Sequence, residues 1–212
     1  GIDFSKITAF AAIVLLFLFP GILQAQEDFI PPLLNPDLSK SELKQVPVVF
    51  EYARFKVGFN MEKKVAEWAV YWLTGEEADS ATVIKRSTVP YYQEGPSLRY
   101  SDYYKKGYDR GHLAPFAHFD FDSLAASQTF SMINIVPQHA DVNRGIWKQI
   151  EETEKALARH IGCISVKIEN RLPEKATVGN LYVPIYQVKT IYTCEGVEIA
   201  RYKVFNISDD LE

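Results

Sequence analysis

Four consecutive residues, Asp109, Arg110, Gly111 and His112, place a carboxylate, a cation and an imidazole on one short stretch of chain. Histidine is the side chain best suited to accept a proton near neutral pH. The guanidinium of arginine presents a planar fork of donors that fits phosphate oxygens. Gly111 permits an unusual backbone angle between them, so the tetrapeptide reads as a turn that sets a base beside an anion-binding group. The same residues are also compatible with a capped turn whose Asp–Arg ion pair is structural.

A second segment, residues 131–152, adds to this. Asn143, Trp147 and Glu151 recur every four residues, which lines them along one side of a helix. An Asn at the start of a helix commonly serves as its cap. Its side-chain oxygen is also a neutral ligand for a hard cation such as Mg²⁺, which keeps several waters and takes other ligands from substrate phosphate. The four histidines, His112, His118, His139 and His160, form neither an HxH nor an HExxH pattern, so zinc is not expected.

These groups need a scaffold. The 212 residues, 47% hydrophobic and 24% charged, have the composition of an ordinary globular protein, which excludes a disordered, collagen-like or multi-pass membrane chain. Residues 48–59 and 67–74 read as strands, and 85–108 as a loop with irregular pieces. A short helix is expected from Ser123, an extended piece at 130–136, and a long helix from Asn143 to about His160, where Ile146, Ile150, Leu157 and Ile161 recur at helical spacing. Strands are expected at 163–169, 180–188, 189–194 and 197–205, the last two joined by a turn at Glu195-Gly196. Strands, one long helix and strands again predict an α+β domain around a central antiparallel sheet.

Residues 1–25 carry Lys6, an apolar run from Ile7 to Leu23 and the small residue Ala25, the parts of a secretory signal peptide; an uncut membrane anchor is the alternative. The Pro-rich stretch 26–45 reads as a linker, leaving 46–212 as the folded domain. Export would place Cys163 and Cys194 where a disulfide can form, although their spacing alone leaves open whether they meet.

The two segments resemble those of the DNA/RNA non-specific endonucleases, the ββα-metal nucleases. The signature Asp109-Arg110-Gly111-His112 is followed by Leu113-Ala114-Pro115. The second signature stands as Asn134-Ile135-Val136-Pro137-Gln138, then Asn143-Arg144-Gly145-Ile146-Trp147 and Glu151. The resemblance spans roughly residues 48–205. It implies a ββα-metal motif with His112 as general base, Asn143 as the one direct protein ligand of Mg²⁺ (Mn²⁺ as a substitute) and Arg110 on phosphate. Glu151 would hold a metal-bound water, Asp109 and Asn134 would orient their neighbours, and Gln138 and Trp147 would be structural. An upstream arginine that grips phosphate in the family has two candidate counterparts here, Arg86 or Arg99. His118 stands where many members carry a carboxylate and is read as a surface residue outside the site. Lys155 replaces a second arginine of some members.

The chain is mildly acidic, with 23 Lys and Arg against 27 Asp and Glu, so any grip on nucleic acid must come from a local basic cleft. Lys105, Lys106, Arg110, Arg144, Lys148 and Lys155 gather around the two motifs, and of these Arg110, Arg144 and Lys148 are the expected substrate contacts. Such contacts carry no sequence information. The expected partners are DNA and RNA as substrates of an exported, periplasmic or extracellular enzyme. No lasting membrane association is expected after the leader is cut, and a homodimer is left open. A catalytically silent nucleic-acid-binding protein of the same fold is the alternative, and a membrane-anchored structural protein a third reading.

Overall fold

The structure, a computed structural model, describes residues 46–207; the leader, the linker and the last five residues lie outside the described residues. Six strands form one antiparallel sheet in the order β1-β2-β3-β6-β7-β8: β1 Val48–Glu51, β2 Phe55–Asn60, β3 Val65–Thr74, β6 Cys163–Arg171, β7 Tyr186–Thr193 and β8 Glu198–Phe205. A separate ribbon pairs β4 Asp109–His112 with β5 Ile135–Gln138. Among the described residues are five α-helices, α1 Gly75–Asp79, α2 Phe116–Phe119, α3 Ser123–Gln128, α4 Ala140–Arg144 and α5 Ile146–Ile161, and three short 3-10 turns, Arg86–Thr88, Tyr100–Tyr103 and Met132–Asn134.

Period-two burial explains the sheet. Phe55, Val57 and Phe59 of β2, Ala69, Tyr71 and Leu73 of β3, and Ile164, Val166 and Ile168 of β6 all point to the core. The buried stripe of α5, Trp147, Ile150, Glu154 and Ala158, packs against that face. On β7 the core-facing positions Gln187, Lys189 and Ile191 include two polar residues, each with a partner.

Several expected boundaries move. The single strand at 48–59 is a hairpin, closed by the Tyr52 amide donating to Phe55 O at 2.9 Å, with the Tyr52 ring stacked on Phe55. The strands at 180–188 and 189–194 are one strand, β7, and residues 172–185 are irregular apart from a Val178–Leu181 bridge. The long helix starts at Ile146. Gly145, with φ −99° and ψ −109°, interrupts it, and a side chain at this break would run into the Asp141 carbonyl, so the position suits glycine. The helix at Ser123 and the turn at Glu195-Gly196 form as expected. Cys163 and Cys194 are joined in a disulfide that ties β6 to the end of β7.

The ribbon is fixed to the sheet by buried amides. Gln138 Nε2 donates to Gln187 Oε1 at 2.7 Å, Gln187 Nε2 to Asn170 Oδ1 at 2.8 Å, and Asn170 Nδ2 to Ala66 O at 2.9 Å. At the other end Asn206 donates to Pro137 O at 3.0 Å and accepts from the His139 amide at 2.7 Å.

Candidate active site

The tetrapeptide 109–112 is a strand, not a turn. Residue by residue it pairs Asp109 with Gln138, Arg110 with Pro137, Gly111 with Val136 and His112 with Ile135. Strand alternation sends Arg110 and His112 to one face and Asp109 and Gly111 to the other. Gly111 has no left-handed backbone angle; its glycine is required by close approach. A Cβ there would stand 2.5 Å from Gln138 Oε1 and 2.8 Å from Gln138 Cβ.

His112 is 7% exposed and packed between Phe130 and Tyr91, at centroid distances of 5.0 and 5.6 Å. Its Nε2 is buried without a hydrogen-bond partner in the protein, while the ring keeps a bond to the Arg110 backbone. Burial, together with the nearby cations Arg86 and Arg110, pushes this imidazole down to about 3, against the favourable backbone bond. The ring is therefore neutral at ordinary pH, with a lone pair free on Nε2. Arg110 lies across the same aromatic floor, its guanidinium 4.0 Å from the Tyr100 centroid and 5.3 Å from that of Tyr91. Arg86 stacks over Phe130 at 5.5 Å, and its charge reaches both His112 and Glu151. No such influence of Arg99 is seen on either residue, so of the two upstream arginines Arg86 faces the site.

On the opposite side of β4, Asp109 is a hub. Arg144 donates to it through Nε at 2.8 Å and through Nη2 at 2.7 Å, and Asn143 Nδ2 donates at 2.9 Å. Burial raises the Asp109 carboxyl, but the bonds from Arg144 and Asn143 outweigh it and hold the group below its usual range. Asn143 belongs to α4, ahead of the break at Gly145, so it does not share a helix with Trp147 and Glu151. Nor is it a cap: His139 caps α4, and the Asn143 amide is already inside the helix, bonded to His139 O at 2.8 Å. With its nitrogen committed to Asp109, Asn143 Oδ1 is left for an external ligand.

Glu151 sits on the first turns of α5. Burial pushes it up to about 7, opposed by Lys189 and Arg86 and reinforced by Glu154. Asn134 is fully buried and spends its side chain on the backbone: it accepts from the Ala114 amide and donates to the carbonyls of Ala114 and Thr129, all at 2.9 Å. It therefore braces the chain just after His112. Trp147 and Gln138 are buried. Arg144 engages Asp109 while its side chain stays 72% exposed, and Lys148 is exposed beside Glu152 at 3.8 Å. His118 is not a surface residue. It is 1% exposed, with Nε2 donating to Glu154 Oε2 at 2.8 Å. Its position on the inner side of α2, next to the buried Phe119, explains the difference, because Glu154 supplies the partner a buried imidazole needs. Sequence reasoning missed Tyr91, Lys189 and Glu154. The tyrosine-rich stretch upstream of β4 was a signal for the first, and the two charged residues at core-facing positions only became evident with the fold.

The model of the family described as DNA/RNA non-specific endonuclease matches residues 38–200. The mouse mitochondrial nuclease EXOG is 32% identical over 104 residues, 47% of this chain and 28% of that protein. Bovine mitochondrial endonuclease G is 27% identical over 176 residues, 79% of this chain and 52% of that protein. Nuclease C1 of Cunninghamella echinulata var. echinulata is 27% identical over 173 residues, 73% of this chain and 69% of that protein. The chain thus matches between about a quarter and a half of the length of the two mitochondrial relatives. A solved structure of an EndoG/EndoGI complex superposes with a TM-score of 0.67 at 22% identity, covering 77% of both chains, and this supports the same α+β fold. With the family model matched across most of its length and both signature segments intact, the chain belongs to the DNA/RNA non-specific endonuclease family.

Proposed function

We propose that the protein is a metal-dependent endonuclease that hydrolyses phosphodiester bonds of DNA and RNA without sequence specificity. The observation that carries this reading is His112: a neutral imidazole held by Tyr91 and Phe130, with Nε2 unpartnered and Arg86 and Arg110 beside it. A base with a free lone pair next to two phosphate-binding cations is what hydrolysis of a phosphodiester requires. His112 Nε2 takes the proton of the attacking water, the water oxygen bonds to phosphorus, and the bond to the 3′ oxygen breaks. Arg110 and Arg86 bind the phosphate oxygens and offset the charge that develops on them. Arg144 and Lys148 extend the basic surface toward the flanking strand.

The donor set fits a hard, well-hydrated cation. Asn143 presents one oxygen, oriented by Asp109, and no group of three or more His, Cys, Asp or Glu converges among the described residues. Mg²⁺, with Mn²⁺ as a substitute, would sit at Asn143 Oδ1 and supply charge neutralisation at the phosphate and the leaving oxygen. Glu151 would accept a hydrogen bond from one of its waters. The names of the mouse, bovine and fungal relatives, all nucleases, support the reaction class. Export to the periplasm or beyond is part of the proposal, supported by the leader-like residues 1–25 and by the Cys163–Cys194 disulfide.

The test is nicking of supercoiled plasmid, and cleavage of RNA, with Mg²⁺, with EDTA and with His112→Ala. Cleavage that disappears under EDTA and in the variant supports the reading. Cleavage that survives in the variant removes His112 as the base, and binding without cleavage would leave a silent nucleic-acid binder.

A further inference from the structure

Glu151 and Glu154 are neighbours on one face of α5, yet the fold surrounds them differently. Glu154 is fully buried and has three partners. Tyr71 Oη donates to Oε2 at 2.5 Å, His118 Nε2 donates to the same oxygen at 2.8 Å, and Lys189 Nζ pairs with Oε1 at 2.8 Å. Lys189 is also fully buried, on the core face of β7, and its Nζ stands 4.2 Å from the Trp147 ring centroid. Trp147 and Glu154 are two helical turns apart, about 10 Å along the axis. An ammonium that touches both lies under the intervening turn, and that turn carries Glu151.

An ion pair in this position is a poor device for stability alone. Removing two charges from water costs about as much as their attraction returns, and apolar side chains of the same volume would serve the core as well. The pair does have a neighbour that can use it: Glu151, half-buried on the turn between Trp147 and Glu154.

We propose that Lys189 is a positioning residue for Glu151: its buried ammonium, held in place by Glu154 and the face of Trp147, is the cation that lets Glu151 stand inside the site as an ionised acceptor. This rests on the nuclease reading above, in which Glu151 works as a carboxylate. The groups that face Glu151 are Glu152 and Glu154 from its own helix, Lys189 from β7, Arg86 from the turn at 86–88 and Tyr71 from β3, with His118 bonded behind Glu154. Among the charges, Lys189 acts most strongly in favour of the ionised form and Glu154 most strongly against it.

The pair therefore makes two opposite predictions. Glutamate labelled with ¹³C at the carboxyl reports the titration of Glu151 in the metal-free protein, with Glu151→Gln assigning the signal. Lys189→Met should raise the Glu151 midpoint by about one pH unit, and Glu154→Gln, which removes the weaker of the two influences, should lower it by less. The acid limb of the plasmid-nicking rate should move in the same two directions. A purely structural pair would lower the melting temperature in both variants without opposite shifts, and midpoints that stay put or move together would overturn the proposal. If a single variant does not fold, the double variant Lys189→Met/Glu154→Gln buries no charge and decides the matter: its midpoint should rise, and an unchanged midpoint overturns the idea. A wild-type protein that cuts no nucleic acid would overturn the nuclease reading, while the carboxyl titration would still judge Lys189.

Discussion

Asp109 holds Arg144 through both carboxylate oxygens and Asn143 through one of them, so a single side chain orients the proposed metal ligand and pins the next residue of the same short helix. Asn143 owes its orientation to this bond, since its amide nitrogen is committed and only its oxygen is free to turn outward.

Asp109→Ala should therefore act on metal affinity before it acts on folding. Loss of a group that orients a ligand typically costs 10- to 100-fold in affinity or activity. The Mg²⁺ concentration for half-maximal cleavage is expected to rise about tenfold or more, with a smaller rise in Arg144→Ala, which leaves the Asn143 bond in place. Metal titrations of the cleavage rate and calorimetry of Mg²⁺ binding check both, and an unchanged metal dependence in Asp109→Ala would refute the role.

His112 should stay neutral across the working range. Its folded value, pushed down to about 3 by burial and by Arg86 and Arg110, lies below the ordinary histidine value. Protonation is thus confined to strongly acid solution, and the base form is present at every pH above about 4. Imidazole ¹⁵N shifts of the metal-free protein should show one neutral tautomer from pH 5 to 9. A midpoint between 6 and 7 would show that the ring is far more open to solvent.

Gly111→Ala should harm the site more than its size suggests. The added methyl meets the Gln138 side chain at 2.5 Å, and Gln138 cannot yield without breaking its bond to Gln187. Overpacking of this kind costs about 1–3 kcal/mol, and the displaced strand carries His112. Cleavage should fall well beyond the loss in melting temperature, which parallel melts and rate measurements would reveal.

Replacing both Cys163 and Cys194 by alanine should destabilise the protein and leave the site intact. The bridge closes a loop of 31 residues in sequence separation, for which chain entropy predicts about 3–4 kcal/mol. At this size that is roughly a 10 °C fall in melting temperature. Below the melting range, cleavage per folded molecule should be unchanged.

Much of this site could be read along the chain. The order and spacing of Asp109 to His112 and of Asn134 to Glu151 picked out the candidate residues and, through the family resemblance, a ββα motif. Yet 109–112 read as a turn and is a strand, because its partner Ile135–Gln138 lies more than twenty residues on. The antiparallel sheet was legible through alternation in β3 and β6. What could not be read depended on contacts across long sequence distances. His118 looked like a surface residue because its partner, Glu154, lies 36 positions away. Helical spacing joined Asn143 to Trp147, whereas the chain leaves helical geometry at Gly145, a conformation in which an added Cβ would meet the Asp141 carbonyl. Gly111 suggested backbone freedom, and the actual demand comes from a side chain on another strand. Arg86 and Arg99 were indistinguishable until Arg86 was seen stacked on Phe130.

Asn206 sets a practical boundary. It lies six positions past the last residue matched by the family model, yet it clasps Pro137 and His139 on either side of Gln138. A recombinant fragment trimmed to the matched span would keep every signature residue and also lose the later part of β8. Its β4–β5 ribbon would then be tethered at the Gln187 end alone, so weak cleavage by such a fragment would report on where it was cut and not on the proposed chemistry.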